Sequence, residues 1–191
     1  MHEHVVFDNN MSEEVALNEL QSVTVYQPEG ENYFIVDLDM QMNCASDNPF
    51  TILEYRYEGL GWRTTEEWDN KNSEVISSTG KDRVHTDGSK ERWCIIQGKL
   101  GNDYGGVVMM SHPANYNHPE PMRIWPINQY GRGDMFASFS TTKDMDWPLK
   151  PKNTYQLKYR LMVYNGHFTP EMAESAWLDF AYSPEIILEI E

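Results

Sequence analysis

Two histidines and two asparagines stand close together in an eleven-residue stretch, SHPANYNHPEP, at residues 111–121. They are His112, Asn115, Asn117 and His118, and three prolines stiffen the chain between and beside them. Imidazoles transfer protons near neutral pH, and carboxamides both donate to and accept from sugar hydroxyls. The stretch therefore predicts either a site for acid–base chemistry on a hydroxyl-rich ligand or a proline-rich turn whose histidines are satisfied by backbone carbonyls.

His112 and His118 are also potential ligands of a divalent metal, but no third ligand stands at a telling spacing, and we predict no metal or other cofactor. The sequence contains no nucleophile elbow, no glycine-rich phosphate loop and no H-E-x-x-H pattern. Acyl transfer, nucleotide chemistry and zinc proteolysis are therefore disfavoured, which leaves acid–base chemistry on a neutral, hydroxyl-rich molecule.

Aromatic and basic residues form two further candidate groups. Trp62 and Arg63 precede a long polar segment, and a tryptophan plane beside an arginine suits a sugar ring with its hydroxyl or carboxylate groups. The alternative is a tryptophan that closes the edge of the core. His85 and Arg92 flank a turn, with Trp93 following. Two single residues complete the candidates: Glu54 as a reserve general acid, if burial raises its pKa, and Arg123 as a substrate ligand.

The composition limits the partners. The chain has 191 residues and a formal net charge of −15, with 40% hydrophobic and 13% aromatic residues. This predicts one globular domain, residues 20–191, after an N-terminal extension, residues 1–19. The negative charge argues against nucleic acid, and no apolar run reaches the ~20 residues of a membrane span. The start MHEHVVFDNN lacks the features of a signal peptide, and localisation stays open.

Short segments with a period of two dominate the chain. Tyr33–Met42 alternates as a half-buried antiparallel strand, with Phe50–Tyr57 as its expected hairpin partner. Tyr155–Tyr164 predicts another strand, and Glu185–Ile190 a last one. Ser12–Glu19 is expected to form a short helical turn. Many short strands separated by turn signals predict an antiparallel β-sandwich, whose exposed edges make a homodimer plausible.

One helix is predicted near the end of the chain. Thr169 can cap it, Pro170 suits its first position, and Glu171 favours the positive end of the helix dipole. An apolar stripe at helical spacing follows, up to Phe180. The two cysteines, Cys44 and Cys94, are expected either to pair or to remain as buried thiols.

A series of motifs resembles a known bacterial family labelled PmoA, or methane oxygenase. In order, they are Gly61-Trp62-Arg63, Asp87-Gly88 with Arg92-Trp93, Gly-Gly-Val-Val at 105–108, His112-Pro-x-Asn-x-x-His118-Pro, and Tyr159-Arg160-Leu161. The resemblance covers about residues 20–184, and the H-P-x-N-x-x-H-P block is its most specific part.

This resemblance implies several properties. Members are found among genes for sugar breakdown and have a β-sandwich similar to that of galactose mutarotases, which implies a carbohydrate ligand. The label implies a metal-dependent oxygenase. Members usually carry a further N-terminal region and often a secretion signal, so the resemblance implies that this chain is either a piece of a longer protein or a shortened member that lacks part of a shared site.

Together the residues and the resemblance predict a carbohydrate-active protein with a cleft formed by the concave sheet face and the loops 62–92 and 111–125. The leading hypothesis is an enzyme that cleaves or rearranges a glycoside, and the alternatives are a non-catalytic glycan-binding module and a metal-dependent oxygenase. The candidate catalytic residues are His112, His118 and Glu54. The candidate substrate-binding residues are Trp62, Arg63, His85, Arg92, Trp93, Asn115, Asn117 and Arg123.

Overall fold

Strands make up most of the regular structure of this chain. The computed structural model describes residues 1–7 and 10–183. Within these residues it contains thirteen strands, one helix, α1 (Pro170–Ala181), and a short 3-10 turn at Gln129–Gly131. The strands are β1 (His2–Phe7), β2 (Glu13–Tyr26), β3 (Tyr33–Cys44), β4 (Phe50–Ile52), β5 (Leu60–Arg63), β6 (Ser73–Ser77), β7 (Lys90–Glu91), β8 (Trp93–Leu100), β9 (Asp103–Ser111), β10 (Glu120–Ile124), β11 (Phe136–Phe139), β12 (Trp147–Leu149) and β13 (Tyr155–Asn165).

The strands form three antiparallel sheets. A large sheet has the order β1-β2-β3-β13-β9-β8-β6, a small sheet has the order β5-β11-β10-β7, and β12 pairs with β4 alone. The inner face of the large sheet packs against the small sheets, and α1 covers part of its outer face. The predicted antiparallel β-sandwich with one helix near the C-terminus is therefore confirmed.

Strand β13 shows how both faces of the large sheet are used. Leu161 and Val163 pack towards the small sheets, whereas Met162 and Tyr164 pack under α1. The helix begins as its sequence predicts, since the Thr169 hydroxyl accepts a hydrogen bond from the backbone N–H of Met172 at 3.3 Å. Burial of both faces explains why the strand carries few charges in its second half.

Two local predictions differ from the structure. The segment expected to be a helical turn, Ser12–Glu19, lies mostly in strand β2, which pairs with β1 and β3. Strand β4 pairs with β12 rather than with β3. The predicted last strand, Glu185–Ile190, lies outside the described residues. Cys44 and Cys94 are both free thiols.

Candidate functional site

The histidine-rich stretch connects β9 to β10, and its two histidines lie in different surroundings. His112 lines a cleft of about 380 Å³ beside Lys158 and Arg160, and its Nδ1 accepts the backbone N–H of Ala114 at 3.1 Å. The His118 ring lies parallel to the Trp177 ring of α1, with centroids 6.1 Å apart. The protein thus orients each imidazole, His112 through a backbone hydrogen bond and His118 through stacking on Trp177.

Glu120 lies at the centre of a buried polar network at the start of β10. Its side chain is fully buried. One carboxylate oxygen accepts hydrogen bonds from Ser111 Oγ at 2.5 Å and Asn115 Nδ2 at 2.9 Å. The other accepts from Thr141 Oγ1 at 2.8 Å and Tyr159 OH at 2.9 Å. Burial raises the pKa of Glu120, although the four hydrogen bonds oppose that shift.

The network reaches His118 through one hydroxyl. Ser111 Oγ lies 3.2 Å from His118 Nδ1. Because the Ser111 hydroxyl donates its proton to Glu120, its oxygen is left to accept the Nδ1 proton of a neutral imidazole. Glu120, Ser111 and His118 thus form a chain of hydrogen bonds that fixes the tautomer and leaves Nε2 as the basic nitrogen.

His118 makes stability depend on pH. Burial, and then the charges of His112 and Arg92, lower the pKa of His118 from 6.5 to about 4. The unfolded chain therefore binds a proton between pH 6.5 and 4 that the folded chain does not, so stability is lost as pH falls through this window. We expect a loss of the order of 2 kcal/mol, measured by urea unfolding. The variant His118→Gln should lose less unfolding free energy between pH 6.5 and 4. If unfolding free energy fell equally with pH in the two proteins, His118 would not be the group responsible.

The two asparagines of the stretch stabilise its conformation. Asn115 is buried, and its side chain donates to the carbonyl of Lys158 and accepts from the N–H of Lys158. Asn117 has a left-handed backbone with φ of 63° and donates to Asp144 Oδ1 at 2.6 Å. Lys90 Nζ donates to Asn117 Oδ1 at 2.6 Å. The contacts of both carboxamides are thus already made within the protein.

Arg92 and Trp93 meet helix α1. Both donate to the same Glu174 oxygen, from Arg92 Nη2 at 2.8 Å and from Trp93 Nε1 at 2.6 Å. The Arg92 guanidinium lies over the Trp177 ring, 5.0 Å from its centroid. Because Trp93 is buried in the layer beneath the helix, these residues attach α1 to the large sheet.

Three other candidates lie apart from one another. The Glu54 side chain is exposed on the segment after β4. Trp62 points into the sandwich core and meets Trp68 edge to face at 6.1 Å. His85 is exposed, and its Nδ1 lies 2.6 Å from Asp82 Oδ1. The predicted cleft therefore does not bring all of its candidate residues together.

Arg63 and Arg123 are brought together on the outer face of the small sheet. Their neighbours Trp62 and Ile124 pack into the core, so alternation turns both arginines outward. We call this surface the arginine–tyrosine face. It comprises Arg56, Tyr57, Arg63, Arg123, Trp125 and Phe136.

Aromatic rings form a continuous layer on the arginine–tyrosine face. Phe136 contacts the Tyr57 ring at 5.8 Å and the Trp125 ring at 5.5 Å between centroids. Gly61 makes room for this layer, because a Cβ there would lie 2.8 Å from the Phe136 ring. Arg63 lies over Trp125 at 4.7 Å.

The Tyr57 hydroxyl lies between two donors. Arg123 Nη2 donates to it at 3.4 Å and Trp125 Nε1 at 3.3 Å. Hydrogen bonding by Arg123 lowers the pKa of Tyr57 and outweighs the effect of burial, with further contributions from Trp125 and from the charges of Arg123 and Arg56. These donors and charges thus stabilise the ionised form of the Tyr57 phenol relative to a free tyrosine.

Asp87 holds Arg123 in position. Its Oδ1 forms an ion pair with Arg123 Nη1 at 3.0 Å and accepts hydrogen bonds from Lys143 Nζ at 2.9 Å and the N–H of Ile124 at 3.0 Å. Burial would raise the pKa of Asp87, but these hydrogen bonds and the Lys143 charge lower it overall. Asp87 therefore remains ionised at neutral pH and keeps Arg123 in a fixed orientation beside Tyr57.

The charges on this face are unusual for an acidic chain. In the part of the chain that the structure describes, Arg56, Arg63 and Arg83 are the arginines that form no ion pair with a carboxylate. The buried Arg83 guanidinium is occupied by backbone carbonyls, whereas Arg56 and Arg63 are exposed. Two guanidinium groups without carboxylate partners thus lie on one face of a protein with net charge −15.

Nowhere in residues 1–7 and 10–183 do three or more His, Cys, Asp or Glu side chains group in a way that suits a metal ion. Nor does this part of the chain contain a helix that is long and apolar enough to span a membrane. Sequence reasoning missed Tyr57 and Trp125, because neither belongs to a motif, and it did not name Asp87 as a site residue although Asp87 stands in the Asp87-Gly88 motif. The fold brings the three together from distant parts of the chain.

The fold and these polar groups define a class of antiparallel β-sandwich with an arginine-rich outer face on its smaller sheet. The model of a family of unknown function, DUF6807, matches residues 1–178 of this chain. Since the match covers more than half of the chain, the chain belongs to this family. No match was found among curated proteins. The family description assigns no activity, so carbohydrate or oxygenase chemistry remains a proposal.

Proposed function

We propose that this is a carbohydrate-active protein that binds acidic sugar chains on the arginine–tyrosine face. The observation that carries the proposal is the placement of Arg56 and Arg63, without carboxylate partners, over the aromatic rings of Tyr57 and Trp125. A guanidinium fork binds a carboxylate in two parallel hydrogen bonds. The partly exposed rings of Tyr57 and Phe136 offer apolar surface to the C–H face of a sugar ring, whereas the buried Trp125 supports Arg63 from beneath. Both features of a uronic acid are therefore matched on one surface.

The net charge of the protein favours this ligand over a nucleic acid. A phosphate backbone requires a long basic surface, and its approach to a chain of charge −15 is unfavourable. A carboxylate on a sugar requires only a local cationic group, since salt screens charges beyond about 8–10 Å. The arginine–tyrosine face supplies such a group.

Arg63→Ala tests the proposal. We expect the dissociation constant for polygalacturonate or alginate fragments to rise about tenfold, because a charged hydrogen bond contributes at least about 1.5 kcal/mol. Lys152→Ala is the matched control, since it removes one positive charge at a side chain that is 83% exposed and pairs with Asp47, in the turn after β3. Calorimetry should show weak or no binding of neutral glucans to the wild-type protein and to both variants.

Two results would count against the proposal. One is equal affinity for acidic and neutral glycans, and the other is an equal effect of Arg63→Ala and Lys152→Ala. A non-catalytic glycan-binding module would show the expected binding without any product. A metal-dependent oxygenase would require a transition metal that stays bound through purification, which elemental analysis measures.

A second candidate function is glycoside cleavage or rearrangement at the histidine-rich stretch. It is favoured by the chain of hydrogen bonds from Glu120 through Ser111 to His118, which orients Nε2 as a proton acceptor. The low pKa of His118 limits its strength as a base at neutral pH. For this candidate, His112→Ala and His118→Ala should abolish turnover while glycan binding persists.

The homodimer also remains a proposal. Strand β1 is an edge strand whose residues are all exposed, and an unpaired edge can add a strand from a second copy. Sedimentation equilibrium across a range of concentrations measures it, and a constant monomer mass would exclude the dimer.

A further inference from the structure

We infer that Tyr57 is the proton acceptor in a β-elimination that cleaves uronic-acid-containing chains at the arginine–tyrosine face. This rests on the proposed function, because it requires an acidic sugar bound on that face. It goes beyond binding by assigning a reaction and a catalytic residue. Neither histidine of the residue 111–121 stretch takes part in it.

The position of the Tyr57 hydroxyl carries the inference. Its oxygen accepts hydrogen bonds from Arg123 and Trp125, at 3.4 Å and 3.3 Å. Because two donors already point at the oxygen, the phenol proton must point away from them. When the phenol ionises, the oxygen has a further lone pair that can accept a proton from the substrate. Tyr57 is partly exposed, so this lone pair can meet a bound sugar.

The surrounding charges favour a basic phenolate. Arg56 lies on the same segment with its guanidinium 5.2 Å from the ring centroid, and Arg123 lies 5.3 Å away on β10. Asp87 lies behind Arg123 and neutralises part of its charge. Two further rings pack against Tyr57, the phenol ring of Tyr55 at 5.9 Å and the uncharged ring of Phe136 on β11 at 5.8 Å between centroids. These groups together lower the pKa of Tyr57, with the hydrogen bond from Arg123 as the largest cause.

Besides a base, this elimination requires a cation that neutralises the substrate carboxylate, and Arg63 can supply it. It is exposed, has no carboxylate partner and lies over Trp125, whose indole nitrogen contacts the Tyr57 hydroxyl. A carboxylate bound by Arg63 would therefore lie near that hydroxyl. Neutralising the carboxylate acidifies the adjacent C–H group and stabilises the negative charge that develops when its proton leaves.

The reaction balances without a further reagent. The Tyr57 phenolate takes the proton from the sugar carbon next to the carboxylate, C5, and the freed electron pair forms a C4–C5 double bond. The C4–O bond breaks at the same time, and the proton ends on the leaving glycosidic oxygen. The products are a chain with an unsaturated uronate at its new end and a chain with a new hydroxyl group. No oxidant or reductant is consumed.

The variant Tyr57→Phe tests the role directly, since it keeps the ring and removes only the hydroxyl. Polygalacturonate, alginate and hyaluronate are the probes, and the conjugated product is followed by its ultraviolet absorbance. We expect the wild-type protein to cleave at least one probe, with a rate that rises with pH as Tyr57 ionises. Tyr57→Phe should lower kcat at least about 100-fold, the usual contribution of a general base, with binding changed less than about twofold.

The control is Tyr26→Phe, which removes the hydroxyl of a tyrosine that is 49% exposed on the large sheet. It should cleave at the wild-type rate. Two results would overturn the inference while leaving the proposed function intact: acidic chains that bind without any unsaturated product, or Tyr57→Phe with wild-type turnover. If no acidic chain binds the wild-type protein, the proposed function fails first and the elimination falls with it.

Discussion

Replacing Glu120 by alanine is expected to lower the free energy of unfolding by at least about 3 kcal/mol. The change removes the acceptor for four buried donors, two from Ser111 and Asn115 and two from Thr141 and Tyr159. Hydrogen bonds to a charged group contribute about 1.5–3 kcal/mol each, and part of the loss is recovered because the hydroxyls can bond to one another. Chemical denaturation at neutral pH measures the change.

Glu120→Gln is the matched control and should be much milder. The amide oxygen of the glutamine can still accept hydrogen bonds from Ser111 and Asn115. Its NH₂ group can donate to the hydroxyls of Thr141 and Tyr159, which are free to rotate. Those two hydroxyls already lie 3.2 Å apart, so either can act as an acceptor. Equal destabilisation by the alanine and glutamine variants would show that hydrogen bonding does not determine the stability of this site.

Much of the fold could be predicted because its signals are local. The alternation of Tyr33–Met42 appears in the structure as β3, and the cap and proline at residues 169–170 begin α1 at the expected place. Such signals depend only on which face of one element is buried. They specify the class of fold without specifying which strands are neighbours.

The wrong local predictions have one physical cause. The segment 12–19 is polar enough to suggest a turn, but the large sheet extends it as β2 through pairing with β1 and β3. Strand β4 lies next to β12, almost one hundred residues away in sequence, rather than beside its expected hairpin partner. Tertiary pairing overrides local preference here, and a single sequence carries no signal for such distant partners.

The candidate site shows the same limit. Arg63 and Arg123 could be named as ligands from their type alone, but their shared face depends on β11 lying between β5 and β10. Tyr57 gave no signal, because a tyrosine in an alternating segment resembles any other core or surface residue. Its importance arises from Arg123 and Trp125, which lie more than sixty residues further along the chain.

Strand β10 connects the two polar regions of the protein. Its first residue, Glu120, lies in the buried network, and Arg123 lies on the arginine–tyrosine face. Loss of the buried network is therefore expected to disturb the binding face as well as stability. A glycan-binding defect in a Glu120 variant should accordingly be interpreted only alongside its unfolding free energy.

Replacing Arg83 by methionine is expected to cost about 3 kcal/mol or more and to loosen residues 126–134. The Arg83 guanidinium is buried and donates to four backbone carbonyls, at distances from 2.7 to 3.2 Å. These carbonyls belong to Trp125, Pro126, Gly133 and Asp134, so one side chain fixes both ends of this loop. Methionine fills much of the volume but donates no hydrogen bond, which leaves buried acceptors unsatisfied.

Arg132→Met is the matched control, since Arg132 lies in the same loop with a side chain that is 48% exposed and paired with Asp134. An exposed ion pair contributes at most about 1 kcal/mol, so this variant should remain close to the wild-type protein. Hydrogen exchange should show faster exchange of the amides of residues 126–134 in Arg83→Met alone. Because Trp125 supports Arg63, glycan binding should weaken in the same variant. Equal stability and equal exchange in the two variants would show that the Arg83 hydrogen bonds do not hold the loop against the arginine–tyrosine face.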